Sequence, residues 1–170
     1  MASLVEELVS VLAQEEKIYE VFYELGQKKT QVLIDADVPT LEQITATEQQ
    51  QSDKLLALSN KQLTILKDIS TVLGAEEKEM TVTKLIGLMD SQPKVKQQLI
   101  AARDSLLESA NRVQTLNQQN EVLIRQAIDM AEFDITLFKS LRQAPETANY
   151  DRSAYNTGSI LGGSGFDAKQ

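Results

Sequence analysis

Carboxylates are the side chains of this chain that could most readily do chemistry. Glu15 and Glu48 each interrupt an apolar helical pattern, so the two could face one another across a helical hairpin. Two buried carboxylates with raised pKa values can transfer protons as a general acid and a general base. Polar residues within such patterns more often fix the register of packed helices, and this is the role that we expect for both.

Other catalytic side chains are scarce, since the 170 residues contain no histidine, cysteine or tryptophan. Without histidine the Glu-x-x-His pairs of helical di-iron sites cannot form, and without cysteine there are no disulfides and no thiolate metal ligands. The glycine-rich run at 162–165 is not followed by the Gly-Lys-Ser/Thr of a phosphate-binding loop. The sequence therefore predicts a binding protein that is not an enzyme and needs neither a cofactor nor a metal.

Charge and hydropathy limit the partners and the location. The chain carries 25 acidic and 17 basic residues, a net charge of -8, so its surface would repel a phosphate backbone. Nucleic acid is therefore not an expected partner. No run of about 18 apolar residues occurs, and the N-terminus lacks the basic and apolar regions of a signal peptide. We expect a cytoplasmic protein that does not span a membrane.

Apolar residues spaced four and three apart predict that the chain is built from packed helices. A first helix is predicted from Ser3 to Ile34, with Ser3 as its N-cap and Glu6 in the capping-box position. The segment 35–39 ends this helix, because Pro39 disfavours helical geometry in the residue before it. The predicted seam of the first helix consists of Leu4, Leu8, Val11, Glu15, Ile18, Phe22, Leu25, Lys29 and Val32.

A second helix is predicted from its N-cap Thr40 to Leu73, with Gly74 as its terminator. The short link forces it to run antiparallel to the first, which makes a helical hairpin. A short apolar piece from Val82 to Met89 is expected to cap the open end of the hairpin. The predicted seam of the second helix consists of Leu41, Ile44, Glu48, Gln51, Leu55, Leu58, Gln62, Ile65, Ile69 and Val72.

The last helix is predicted to be the longest element, from Pro93 in its first turn to about Leu141. The predicted fold class is therefore all-α: a long antiparallel helical hairpin and a long third helix form an elongated, coiled-coil-like bundle. We assign residues 1–142 to this helical domain and residues 143–170 to a flexible tail that contains glycine. The seam of the last helix includes Leu99, Ala102, Leu106, Val113, Leu116, Asn120, Leu123, Ala127 and Met130.

The predicted helix lengths indicate an apolar surface on the last helix that the hairpin does not cover. The first helix should be about 45 Å long and the last about 70 Å, so the last should extend beyond the turn at Asp35 by about 15 residues, from Arg125 to Leu141. Apolar side chains occur there on more than one face, and something must cover them. Either the helix bends back or the chain forms a homo-oligomer there, or the helix binds a partner. The candidate binding residues are Leu123, Ile124, Ile128, Met130, Phe133, Ile135, Leu137, Phe138 and Leu141.

The order of several short motifs resembles the FlgN family of flagellar export chaperones. The last helix carries Asn117-x-x-Asn120-x-x-Leu123-Ile124, which is similar to a recurring segment of that family, and 81–88 resembles the link before it. The first helix and turn resemble the opening of the family at Glu15, Tyr19, Phe22, Leu25, Lys28, Val32, Asp37, Leu41, Ile44 and Glu48.

The resemblance implies a cytoplasmic, all-helical chaperone of the flagellar type III secretion system. Such a chaperone would bind the C-terminal helical region of the hook-filament junction proteins FlgK and FlgL and deliver them to the export gate. Related chaperones also make Tyr150 and Tyr155 of the tail candidates for contact with the gate. Phe166 and Ile160 could instead cover the apolar helix until cargo arrives. The competing interpretation is a structural coiled-coil adaptor whose last helix mediates homo-oligomerisation.

Overall fold

The computed structural model describes residues 2–74 and 80–143, and every regular element within those ranges is a helix. The predicted all-α fold class is therefore confirmed. The helices are α1 (Ala2–Ile34), α2 (Val38–Leu73), α3 (Val82–Leu88) and α4 (Pro93–Gln143). Residues 75–79, between α2 and α3, and residues 144–170 of the predicted tail lie outside the described residues.

The first two helices form the predicted hairpin and are in extensive contact. Every residue of the predicted α1 seam is buried or half-buried, as the four-three spacing requires. The α2 seam is followed as far as Ile69, but Val72 is 59% exposed, so its placement in the seam is wrong. A straight helix turns every 3.6 residues and drifts from a seven-residue repeat, which brings Leu73 toward the core in its place.

The tight turn between the two helices corrects one predicted cap. Asp37 is the N-cap of α2, because its carboxylate accepts hydrogen bonds from the Thr40 amide at 3.1 Å and from the Thr40 hydroxyl. These bonds hold the pKa of Asp37 below its ordinary value. Pro39 lies in the first turn of α2, where its missing N–H leaves no bond unmade. The predicted N-cap at Thr40 is therefore wrong, since the helix begins two residues earlier.

The other helix ends follow local chemistry. The predicted N-cap at Ser3 is wrong because α1 already includes Ala2. Gly74 ends α2 as predicted, with a left-handed backbone (φ 63°) that lets its N–H bond to the carbonyls of Ser70 and Thr71. Thr81 caps α3 by accepting a hydrogen bond from the Lys84 amide at 3.2 Å.

The main apolar core lies where α1 begins and α2 ends, and α3 closes it as predicted. Each completely buried leucine there contributes about 1.5–3 kcal/mol relative to the exposed side chain. The buried residues of this core are Val5, Leu8, Val11, Leu12, Ile65, Leu66, Ile69, Met80, Val82, Leu85, Ile86, Met89 and Leu99.

The chain divides into two compact units, the first ending at Asp129 and the second beginning at Met130. The first contains α1, α2, α3 and most of α4, whereas the described part of the second is the last stretch of α4. No helix among the described residues is long and apolar enough to cross a membrane.

Candidate functional site

The second unit exposes a dense set of large apolar side chains on α4. Met130, Phe133 and Phe138 are 69%, 66% and 66% exposed, which is high for a methionine and two phenylalanines. We call these residues and their apolar neighbours the distal surface, which consists of Met130, Phe133, Ile135, Leu137, Phe138 and Leu141.

Two stripes make up the distal surface. Met130, Phe133, Leu137 and Leu141 follow the four-three spacing that places side chains on one face of a helix. Ile135 and Phe138 lie three apart on an adjoining face. A helix whose apolar residues spread over adjoining faces is stable in water only when another surface covers it.

The three candidate residues nearer the start of α4 belong to the first unit. Leu123 and Ile124 are half-buried there, whereas Ile128 is 52% exposed. All side chains described from Arg125 to Arg142 are exposed. This range includes Arg125 to Leu141, the part of the last helix that was predicted to extend beyond the hairpin turn. The helix α4 is continuous to Gln143.

A buried asparagine holds α4 in register with α1. The Asn120 side chain donates from Nδ2 to the main-chain oxygen of Gly26 at 2.8 Å, and its Oδ1 accepts from the Thr30 hydroxyl at 2.6 Å. Only 2% of Asn120 is exposed, so these bonds are shielded from water. Asn120 was predicted as a seam position, but its partners were not. The interior glycine at 26 was the available signal, because a glycine within a helix often marks a close approach.

The two carboxylates singled out in the sequence do not face one another as a pair. Glu48 of α2 forms an ion pair with Lys29 of α1, so a polar seam position of one helix meets a polar seam position of the other. Glu15 is 4% exposed, and burial raises its pKa. The structure therefore pairs the predicted seam residues Glu48 and Lys29, and Glu15 is not part of that pair. Among the described residues, no group of three or more acidic side chains could hold a metal ion.

A family model described as "FlgN protein" matches residues 1–157 of the chain. The chain belongs to the FlgN family. The match spans all four helices, and the resemblance proposed from the motif order is confirmed. A search of curated proteins and a search of solved structures found no significant match.

Membership of the FlgN family implies a role as a chaperone in flagellar protein export. The family is one of chaperones and not of enzymes, which agrees with the predicted binding role. Tyr150, Tyr155 and Phe166, the predicted contacts of the tail, lie outside the described residues.

Proposed function

We propose that this FlgN-family protein is a cytoplasmic export chaperone that binds the C-terminal helical region of FlgK and FlgL and delivers it to the export gate. The observation that carries the proposal is the exposure of the distal surface on the last stretch of α4. Amphipathic helices associate through apolar ladders of this spacing.

The apolar area of the distal surface would contribute to the binding of a helix. Burying one such side chain completely contributes about 1.5–3 kcal/mol. Since the six side chains are 45–69% exposed, covering them supplies a gross stabilisation of roughly 5–11 kcal/mol, which is comparable with the cost of association, about 4–15 kcal/mol. Met130 adds adaptability, because its unbranched thioether chain fits irregular surfaces. We propose that Leu123, Ile124 and Ile128 extend the binding residues toward the start of α4.

The tail is proposed to serve the same process. Tyr150 and Tyr155 would contact the export gate, and Phe166 would either contact cargo or cover the apolar helix before cargo binds. Deletion of residues 144–170 tests this. We expect the deletion to change either gate binding or cargo affinity, and no change in either would contradict a role for the tail.

Calorimetric titration of the full chain with C-terminal helical fragments of FlgK and FlgL tests the cargo surface. The variant Phe133→Asp/Phe138→Asp should lower the affinity at least 100-fold, because two buried rings are replaced by charges that must be desolvated. The matched control is Leu63→Asp/Val72→Asp on α2, where the two side chains are 60% and 59% exposed. Its affinity should stay within about threefold of the wild type.

The titration, combined with sedimentation of the chain alone, distinguishes the chaperone from a coiled-coil adaptor, a function that the exposed apolar side chains would also suit. Sedimentation of the chain alone should give a monomer mass at every concentration if the surface is free for cargo. A stable homo-oligomer that Phe133→Asp/Phe138→Asp dissociates, together with no binding of either fragment, would support the adaptor and contradict the chaperone proposal.

A further inference from the structure

A groove in the first unit runs along one face of α1, with α2 on one side and α4 on the other. It consists of two adjoining depressions of about 490 and 380 Å³ that share Tyr19, Phe22 and Ser52. The floor extends along α1 from Glu15 to Lys29, a distance of about 21 Å at the helical rise. A helix of about four turns has that length.

The walls of the wider depression are apolar and leave room for a neighbouring backbone. Leu56 of α2 and Leu107 of α4 stand at opposite walls and are 62% and 52% exposed. Small side chains, Ser52, Ser59 and Ala110, alternate with the leucines. Three helices with an open apolar groove between them offer the place that a fourth helix occupies in a four-helix bundle.

Glu15 lies at the end of this floor without a partner. It is 4% exposed, and among the described residues its carboxylate accepts no hydrogen bond and forms no ion pair. No completely buried side-chain oxygen or nitrogen of the described residues lacks a partner, so the Glu15 oxygens must reach the open space of the groove. The partly desolvated carboxylate faces the groove without a counter-ion from the described residues, and a cation brought into the groove would pair with it and favour its charged form.

A larger groove of about 680 Å³ on the neighbouring face of α1 and α4 does not have this property. Its cation Arg112 lies over the Tyr23 ring, 4.2 Å from the centroid. Of its two acids, Asp104 is paired with Arg103, and Glu108 is exposed to water. The larger groove therefore has no counterpart of Glu15, which is a largely buried acid without a counter-ion among the described residues.

We propose that the groove of Glu15 is a second docking site, which accepts an amphipathic helix of a partner protein whose apolar face carries an arginine or lysine that pairs with Glu15. The apolar walls bury the face of that helix, and Glu15 selects helices with a cation in the right register. The site is separate from the distal surface and goes beyond the binding of cargo there.

A synthetic, blocked helical peptide of about 18 residues tests the proposal, since shorter peptides are poorly helical. The peptide has leucines at four-three spacing and one arginine in the middle of the apolar face, and the matched peptide has citrulline, which is neutral, in its place. We expect the full chain to bind the arginine peptide at least tenfold more tightly than the citrulline peptide.

Substitutions in the full chain identify the groove. Glu15→Gln should abolish the preference for arginine, while the control Glu6→Gln, an exposed acid on the same helix, should preserve it. Glu15→Gln also removes a buried charge, so we expect it to fold, and circular dichroism checks this. Phe133→Asp/Phe138→Asp removes any binding of the leucine peptide to the distal surface and should preserve the preference for arginine, which separates this site from the proposed cargo surface.

A spectroscopic readout follows the contact itself. In a carbon-13 titration, the carboxyl pKa of Glu15 should fall when the arginine peptide binds, because a cation favours the charged form. Equal affinity for both peptides, or an unchanged preference in Glu15→Gln, would overturn the proposal. Tighter peptide binding by the variant Arg152→Gln/Lys169→Gln would also overturn it, because that result would indicate that the chain's own tail fills the groove. A dimer of the chain that the peptide dissociates would overturn it as well, because a second copy would then occupy the groove.

Discussion

The side chain of Asn120 in α4 donates a hydrogen bond of 2.8 Å to the main-chain oxygen of Gly26 in α1, across 94 positions of sequence. Beside this bond α4 approaches Gly26 closely: a Cβ at this position would lie 2.8 Å from Cδ2 of Leu116. The glycine lets α4 approach the backbone of α1, and the asparagine specifies where along α1 it does so. The packing of α4 on α1 therefore depends on a close approach and on one buried polar contact.

We expect Asn120→Ala to lower the free energy of unfolding by about 1–3 kcal/mol, because it removes the buried hydrogen bond to Gly26 and leaves the Thr30 hydroxyl without this acceptor. Urea denaturation measures the change. Asn117→Ala is the matched control, one turn earlier on the same helix and exposed, and should change stability by no more than about 0.5 kcal/mol. Equal effects of the two substitutions would mean that Asn120 does not hold the register.

Replacing glycine by alanine at positions 26 and 87 separates packing from helix propensity. At Gly87 no atom lies within 4 Å of an added Cβ, so Gly87→Ala should raise the free energy of unfolding by up to about 1 kcal/mol. Gly26→Ala has the same propensity gain but presses on Leu116, and overpacking of this kind typically costs about 1–3 kcal/mol. We expect Gly26→Ala to be the less stable variant by thermal or urea unfolding. The substitution should be better tolerated in a Leu116→Ala background, and no such coupling would contradict the close approach.

The pH dependence of stability should report on Glu15. Burial raises its pKa above the ordinary value of 4.5, so the charged form is less favourable in the folded chain than in the unfolded chain. The contribution of Glu15 to the free energy of unfolding is therefore fully present below its pKa in the unfolded chain, and it is lost as the pH rises through its pKa in the folded chain. We expect Glu15→Gln to gain stability relative to the wild type as the pH is raised from about 4 to 7.

Urea denaturation across that pH range measures the difference, with Glu6→Gln as the control for a loss of one negative charge. The control should show a much smaller change, because Glu6 is exposed. A stability difference between Glu15→Gln and the wild type that stays constant with pH would contradict the raised pKa.

The pKa of Tyr19 should also lie above its ordinary value, because its hydroxyl is desolvated and lies near the charge of Glu15.

Much of the fold follows from local patterns in the sequence. The spacing of Leu8, Val11 and Ile18 identifies the buried face of α1, because the helical period places those positions on one side. Gly74 marks the end of α2 because glycine adopts the left-handed backbone at little cost. The predicted N-caps at Ser3 and Thr40 are wrong, and Asp37 caps α2 instead of Thr40, since neighbouring polar residues have similar capping propensities and only the backbone path selects one.

The sequence by itself determined the all-helical class, the hairpin, the order of the elements and the position of the apolar stretch in α4, because spacing and turn chemistry act over a few residues. Only the tertiary structure decided that Glu48 pairs with Lys29, that Glu15 lies at the end of a groove without a partner, and that Asn120 bonds to Gly26. These contacts depend on the rotation and axial shift of one helix against another. Many residues distant in sequence determine that placement together, so spacing within a single helix does not contain it.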